Sequence, residues 1–155
     1  MRIVDLHCYP GTQEWINCQG PYVEALAKYW NRNWVGKSEE DVLKDFTTAG
    51  VEAVLVALDL ETTIATPPVS NESVHAMWKR HPKRIIQAWG AVEPAKGEIA
   101  IRQVQKAVKE LRGIFALSII FFARSFFPRN NEIEAVCTSY QEPWLFSQFN
   151  SSFPY

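Results

Sequence analysis

The chain has 155 residues, 47% hydrophobic and 21% charged, a balance that excludes a disordered, collagenous or coiled-coil protein. With 16 basic and 17 acidic residues the net charge is −1, too weak a field to gather phosphates or anionic lipid, so neither nucleic acid nor a membrane is an expected partner. The length allows one core but not a complete eight-stranded α/β barrel, which needs roughly 200 residues or more.

Cys8, Cys18 and Cys137 are an odd set without a Cys-x-x-Cys pair, so neither a disulfide framework nor a structural zinc knuckle is expected. A reducing, cytoplasmic compartment fits that usage. The N-terminus carries Arg2 and Asp5 in place of the apolar run of a secretory signal. The most apolar stretch, residues 114–123, stops at Arg124 and is too short for the roughly 20 apolar residues of a spanning helix.

Residues 1–7 read as a strand, because Ile3, Val4 and Leu6 are apolar and Pro10-Gly11 stops the run. From Pro21, a good first helical residue, Tyr22, Leu26, Tyr29 and Trp30 recur at helical spacing. A second helix is written at both ends. Ser38 caps it, Glu39, Glu40 and Asp41 suit the positive end of its dipole, Val42, Leu43, Phe46 and Ala49 form one face, and Gly50 closes it. Residues 51–58 form a β-branched, nearly continuous apolar run, the pattern of a parallel strand covered on both faces. Residues 60–69, with Pro67-Pro68, read as a loop of functional length. A helix follows, capped by Ser70 or Asn71 and packed through Val74, Met77 and Trp78, until Pro82 ends it. Residues 84–92 give a third strand and residues 93–97 a loop. Ile101, Val104, Val108 and Leu111 then mark the face of a helix that Gly113 terminates.

Alternating strands and helices predict a parallel α/β sheet with right-handed crossovers. Both an open doubly wound sheet and the first part of a (β/α)8 barrel satisfy this pattern. No Gly-x-Gly-x-x-Gly follows a strand, so dinucleotide binding has no support.

The composition changes abruptly near Gly113. Eight of the nine phenylalanines lie in residues 114–155, and none of the lysines does. Two accounts are open: a hydrophobic strand over residues 114–122 followed by a loose terminus, or a reading frame lost near Gly113, leaving a tail not shaped for the fold.

Three residues stand at the ends of successive strands: His7, Asp59 and Glu93. In a parallel sheet these positions share one rim, where barrels do their chemistry. A single histidine is commonly a structural hydrogen-bonding residue, and zinc takes three or four ligands. Asp59 suits either a turn or the orientation of a ligand histidine. Cys8 falls on the strand face opposite His7, and neither Cys8 nor Cys18 has a histidine partner for nucleophilic catalysis. His75 and His81 read as solvated helix residues. Trp15, Trp30 and Trp34 suit a pocket wall or a core.

Residues 4–12, Val-Asp-Leu-His-Cys-Tyr-Pro-Gly-Thr, resemble the first strand of the amidohydrolase-related family. These are metal-dependent TIM-barrel hydrolases and decarboxylases, here nearest the aminocarboxymuconate-semialdehyde-decarboxylase-like members. The resemblance continues in residues 49–54 (Ala-Gly-Val-Glu-Ala-Val), 67–72 (Pro-Pro-Val-Ser-Asn-Glu), 80–84 (Arg-His-Pro-Lys-Arg), 91–97 (Ala-Val-Glu-Pro-Ala-Lys-Gly) and 109–113 (Lys-Glu-Leu-Arg-Gly). It covers residues 1–113 and stops there.

The resemblance implies a partial (β/α)8 TIM barrel of about three to four βα units over residues 1–113, with residues 114–155 as a divergent or frame-disrupted tail. It implies an enzyme class, a hydrolase or lyase in which a divalent ion, zinc or manganese, activates water or polarises a small carboxylate or carbonyl substrate. His7 would stand at the first metal-ligand position, with Asp59 and Glu93 as rim residues. Tyr9 occupies the place of the family's second histidine, a poor substitute because a phenol must ionise to bind well. The family's later ligands, two histidines and an aspartate from strands five, six and eight, have no counterpart, since no histidine follows His81. The expected form is therefore truncated and catalytically impaired. An incomplete barrel exposes sheet edges, so self-association as a homo-oligomer is expected. The alternative expectation is a non-catalytic α/β module that pairs with a partner chain through exposed strands and the aromatic tail.

Overall fold

The computed structural model describes residues 1–111 and the strand backbone of residues 114–118. Within them lie β1 (Ile3–Cys8), α1 (Gln13–Gln19), α2 (Pro21–Trp30), α3 (Glu39–Ala49), β2 (Val51–Val56), α4 (Glu61–Ile64), α5 (Asn71–Arg80), β3 (Ile85–Ala91), α6 (Glu98–Lys109) and β4 (Ile114–Ser118). The remaining tail, residues 119–155, with the last four residues of the 114–122 run and the frame-disrupted reading, lies outside the described residues.

The strands form one parallel sheet in the order β1-β2-β3-β4. Strand order follows chain order without reversal, so the sheet has no internal switch point of the doubly wound kind. With the right-handed crossovers such units adopt, that order keeps the crossover helices on one face. α3 packs on β2, α5 on β3 and α6 on β4.

Local chemistry explains the best-defined elements. The Ser38 hydroxyl accepts the Asp41 N–H at the start of α3, and Gly50, at φ 66°, closes it in the left-handed region that a glycine enters without strain. Ser70 caps α5 by accepting the Ser73 N–H. The amphipathic α6 buries Ala100, Val104 and Ala107. It ends at Lys109 with Glu110 as its cap, so Leu111, the last residue of the expected face, lies beyond it and Gly113 is not its terminator. The core gathers Leu55, Leu58, Val69, Val74, Ile85 and Ala88, all at most 2% exposed. Burying each leucine, valine or isoleucine among them contributes on the order of 1.5–3 kcal/mol.

Two elements depart from the sequence reading. The stretch before Pro21 holds α1, a seven-residue helix that ends at Gly20 with φ 52°. The loop of residues 60–69 contains α4, a single helical turn whose start is fixed from elsewhere in the fold. Asn71 joins α5 to β3: its side-chain amide donates to the Ala91 carbonyl (3.1 Å), and its carbonyl accepts the Ala91 N–H (2.7 Å).

Candidate functional site

His7 is the penultimate residue of β1, and Asp59 and Glu93 follow the carboxyl ends of β2 and β3, its successive neighbours in the parallel sheet, so the three occupy one rim. Within that rim they fall into two groups with different chemistry.

The first group belongs to β1. The Asp5 carboxylate turns back to accept the His7 N–H at 3.0 Å, which fixes the strand end. The His7 Nε2 lies 3.1 Å from the Tyr9 hydroxyl, and the rings meet edge to face. Residues i and i+2 of an extended strand share a face, and the contact follows from that. Tyr9 then starts a run of rings through Trp15 to the stacked pair Trp15–Trp34 and on to Trp30, with centroid separations of 5.8, 5.5 and 5.3 Å. The bridge of Thr12 to Lys37 holds the Trp34 segment against the end of β1. Gly36 is required there, because a Cβ would stand 2.4 Å from the Gln13 Cα. The three tryptophans therefore form a wall beside His7, and Trp30 is half exposed. The Trp15 indole N–H is buried and has no hydrogen-bond partner among the described residues.

The second group belongs to β2 and β3 and is closed. Asp59 and Glu93 are 6% and 5% exposed. The Asp59 carboxylate accepts from the Lys96 ammonium at 2.8 and 2.6 Å and from the Glu61 N–H at 3.3 Å. It therefore orients a lysine, not a histidine. Glu93 accepts the Thr62 N–H and the Thr63 hydroxyl, both at 2.8 Å, and so anchors the start of α4. Burial by itself lowers the Lys96 pKa, but hydrogen bonds and charge from Asp59 and Glu61 outweigh it and hold the ammonium above the ordinary lysine value. Among the described residues no hydrogen bond or ion pair joins the His7–Tyr9 pair to this group.

Between the groups lies Cys18 of α1, fully buried, its thiol donating to the Leu58 carbonyl at 3.6 Å. Burial pushes its pKa up. Burial likewise raises the Tyr9 phenol, with the Cys18 thiol adding to it, so Tyr9 resists the ionisation a metal would ask of it. Cys8 is half-buried with its thiol pushed up to about 11 by burial and then by Asp5, which makes it a poor nucleophile. His75 and His81 are half-buried and not simply solvated: the buried His75 Nε2 has no hydrogen-bond partner among the described residues, and His81 meets Glu39 at 2.5 Å.

A divalent ion needs several donors converging with free lone pairs. Here His7 is engaged by Tyr9, Asp59 by Lys96, and Glu93 by two threonines. Among the described residues no three His, Cys, Asp or Glu side chains converge to hold a metal. The zinc or manganese implied by the resemblance does not fit these donors.

Lys96, Thr62 and Thr63 were not legible as rim residues in the sequence. The signal available for Lys96 was its place three residues after Glu93 in a Pro94-initiated turn. Comparisons with protein-family models, with curated proteins and with solved structures gave no match to this chain. Among the described residues no helix is long and apolar enough to cross a membrane.

Proposed function

We propose that this chain is the N-terminal portion, about three to four βα units, of an amidohydrolase-related (β/α)8 hydrolase or decarboxylase for a small carboxylate or carbonyl substrate. In this form it does not sustain turnover. The observation that carries the reading is the unreversed parallel order β1-β2-β3-β4, which sets His7, Asp59 and Glu93 at corresponding ends of adjacent strands. A barrel requires that arrangement of its first strands. The loss of turnover is supported by the donor inventory: both rim carboxylates spend their lone pairs on the chain itself.

In this reading residues 114–155 follow a lost frame, supported by the shift to a phenylalanine-rich, lysine-free composition. The cytosol is its compartment, supported by the free thiols of Cys8 and Cys18. The test is to read the gene beyond the codon for Gly113 in the other two frames. One frame is expected to encode a strand ending in His-Pro, with two further histidines and an aspartate downstream. Absence of such a frame would overturn the assignment.

A second reading, association with another copy of the chain, is favoured by one observation. Ile3 and Leu6 of β1 are 45% and 59% exposed, and among the described residues β1 pairs only with β2. Such an edge is a template for another strand. Light scattering after gel filtration should give a dimer or larger species that Leu6→Lys shifts toward monomer; a wild-type monomer would remove this reading.

A further inference from the structure

The Lys96 ammonium has three N–H donors and meets three carboxylate oxygens: Asp59 Oδ1 at 2.8 Å, Asp59 Oδ2 at 2.6 Å and Glu61 Oε2 at 2.7 Å. Its donors are thereby spent. The Lys96 and Asp59 side chains are 6% and 4% exposed, while Glu61 closes the set from the solvent side at 56%. The backbone turns Lys96 toward the rim through the 3-10 turn Pro94–Lys96 and Gly97 at φ 55°.

We infer that Lys96 is the resident cation of this rim: its ammonium fills the place between Asp59 and Glu61, and that carboxylate pair takes no divalent ion. A divalent ion binds carboxylate oxygens at about 2.0–2.6 Å. It would need the same oxygens that the ammonium holds, and two cations on one buried carboxylate repel strongly in a low-dielectric setting. Binding would therefore require eviction of Lys96. Lys96 acts instead as a positioning residue. Through Asp59 and Glu61 it ties the end of β2, the start of α4 and the turn after β3 into one unit, and Glu93 fastens α4 from its other side. The inference rests on the amidohydrolase-related reading only in naming a divalent ion as what is kept out. The gene-frame experiment tests that reading separately.

The experiment is titration of the full chain with Mn2+ alone, followed by the electron paramagnetic resonance of the free ion. The wild type is expected to bind with a Kd weaker than about 1 mM, Lys96→Ala at least about tenfold more tightly, and His7→Ala like the wild type. In parallel, acetic anhydride applied to the native wild-type chain should modify exposed Lys83 well before Lys96, and added Mn2+ should leave that order unchanged. Tight wild-type binding overturns the inference, as does a folded Lys96→Ala without gain in affinity, or Lys96 acetylated as fast as Lys83. Where circular dichroism shows Lys96→Ala unfolded, the two wild-type measurements decide.

Discussion

β1 and β2 are paired from Ile3 with Val51 to Cys8 with Leu55, yet the two strands live in different surroundings. In β2 and the two residues after it, residues 53–58 are at most 3% exposed, because β2 has a strand on each side and α3 packed upon it. Among the described residues β1 has one neighbour, and it leaves Ile3 and Leu6 at 45% and 59% exposure. The chemistry of the rim follows the same division. At the end of β1, His7 is exposed and Tyr9 half-buried; at the ends of β2 and β3, buried carboxylates are saturated by an ammonium, hydroxyl and backbone amides. A strand's number of neighbours thus decides both its burial and whether the polar groups at its tip face water or the chain.

The sharpest way to break this contrast is on the closed side. Lys96→Ala leaves Asp59 charged and unpaired in the interior and should cost about 3–5 kcal/mol, read by urea unfolding. Removing both charges in Asp59→Asn with Lys96→Met should recover much of that loss. Recovery would show that the penalty is the orphaned charge and not the lost tie between elements.

Next comes a paired test of the two strands. Leu55→Ala should cost about 2–5 kcal/mol, and Leu6→Ala within about 0.5 kcal/mol. Should Leu6→Ala prove nearly as costly, the exposed face of β1 is covered in solution, which would favour the associating form.

The smallest effect concerns Cys8 at the tip of β1. Burial, aided by Asp5, raises its pKa from 9.0 to about 11 in the folded chain. A raised folded pKa gives stability that is complete below the unfolded value and lost as pH rises through the folded one. Thermal midpoints should therefore begin to fall above about pH 9. Cys8→Ser should flatten the decline between pH 9 and 10; equal slopes in the two chains would assign it to other groups.

α3, β2 and α5 were legible because their signals are local. Ser38 and Gly50 bracket α3, the apolar run from Val51 makes β2, and Ser70 with Pro82 brackets α5. α1 escaped notice because Thr12 provides no side-chain cap and the helix is short. α4 escaped because its start is held by Glu93, 31 residues beyond Thr62. The rim was half legible for the same reason. Strand ends could be counted along the chain, which put His7, Asp59 and Glu93 on a common edge, and the family resemblance put Tyr9 at the position paired with His7. The partners that decide what those side chains can do were not, because Lys96 reaches Asp59 across 37 residues of sequence.

Asn71 carries a consequence for motion. Its side-chain amide gives the end of β3 both a donor and an acceptor, much as the backbone of another strand would. A helix terminus normally frays, and so does a strand terminus. Here Asn71 holds both backbone polar groups of Ala91, so opening either terminus breaks both of these bonds. The Ala91 amide should consequently exchange its proton with solvent as slowly as amides in the middle of β3, and the first turn of α5 should be released only when that strand is.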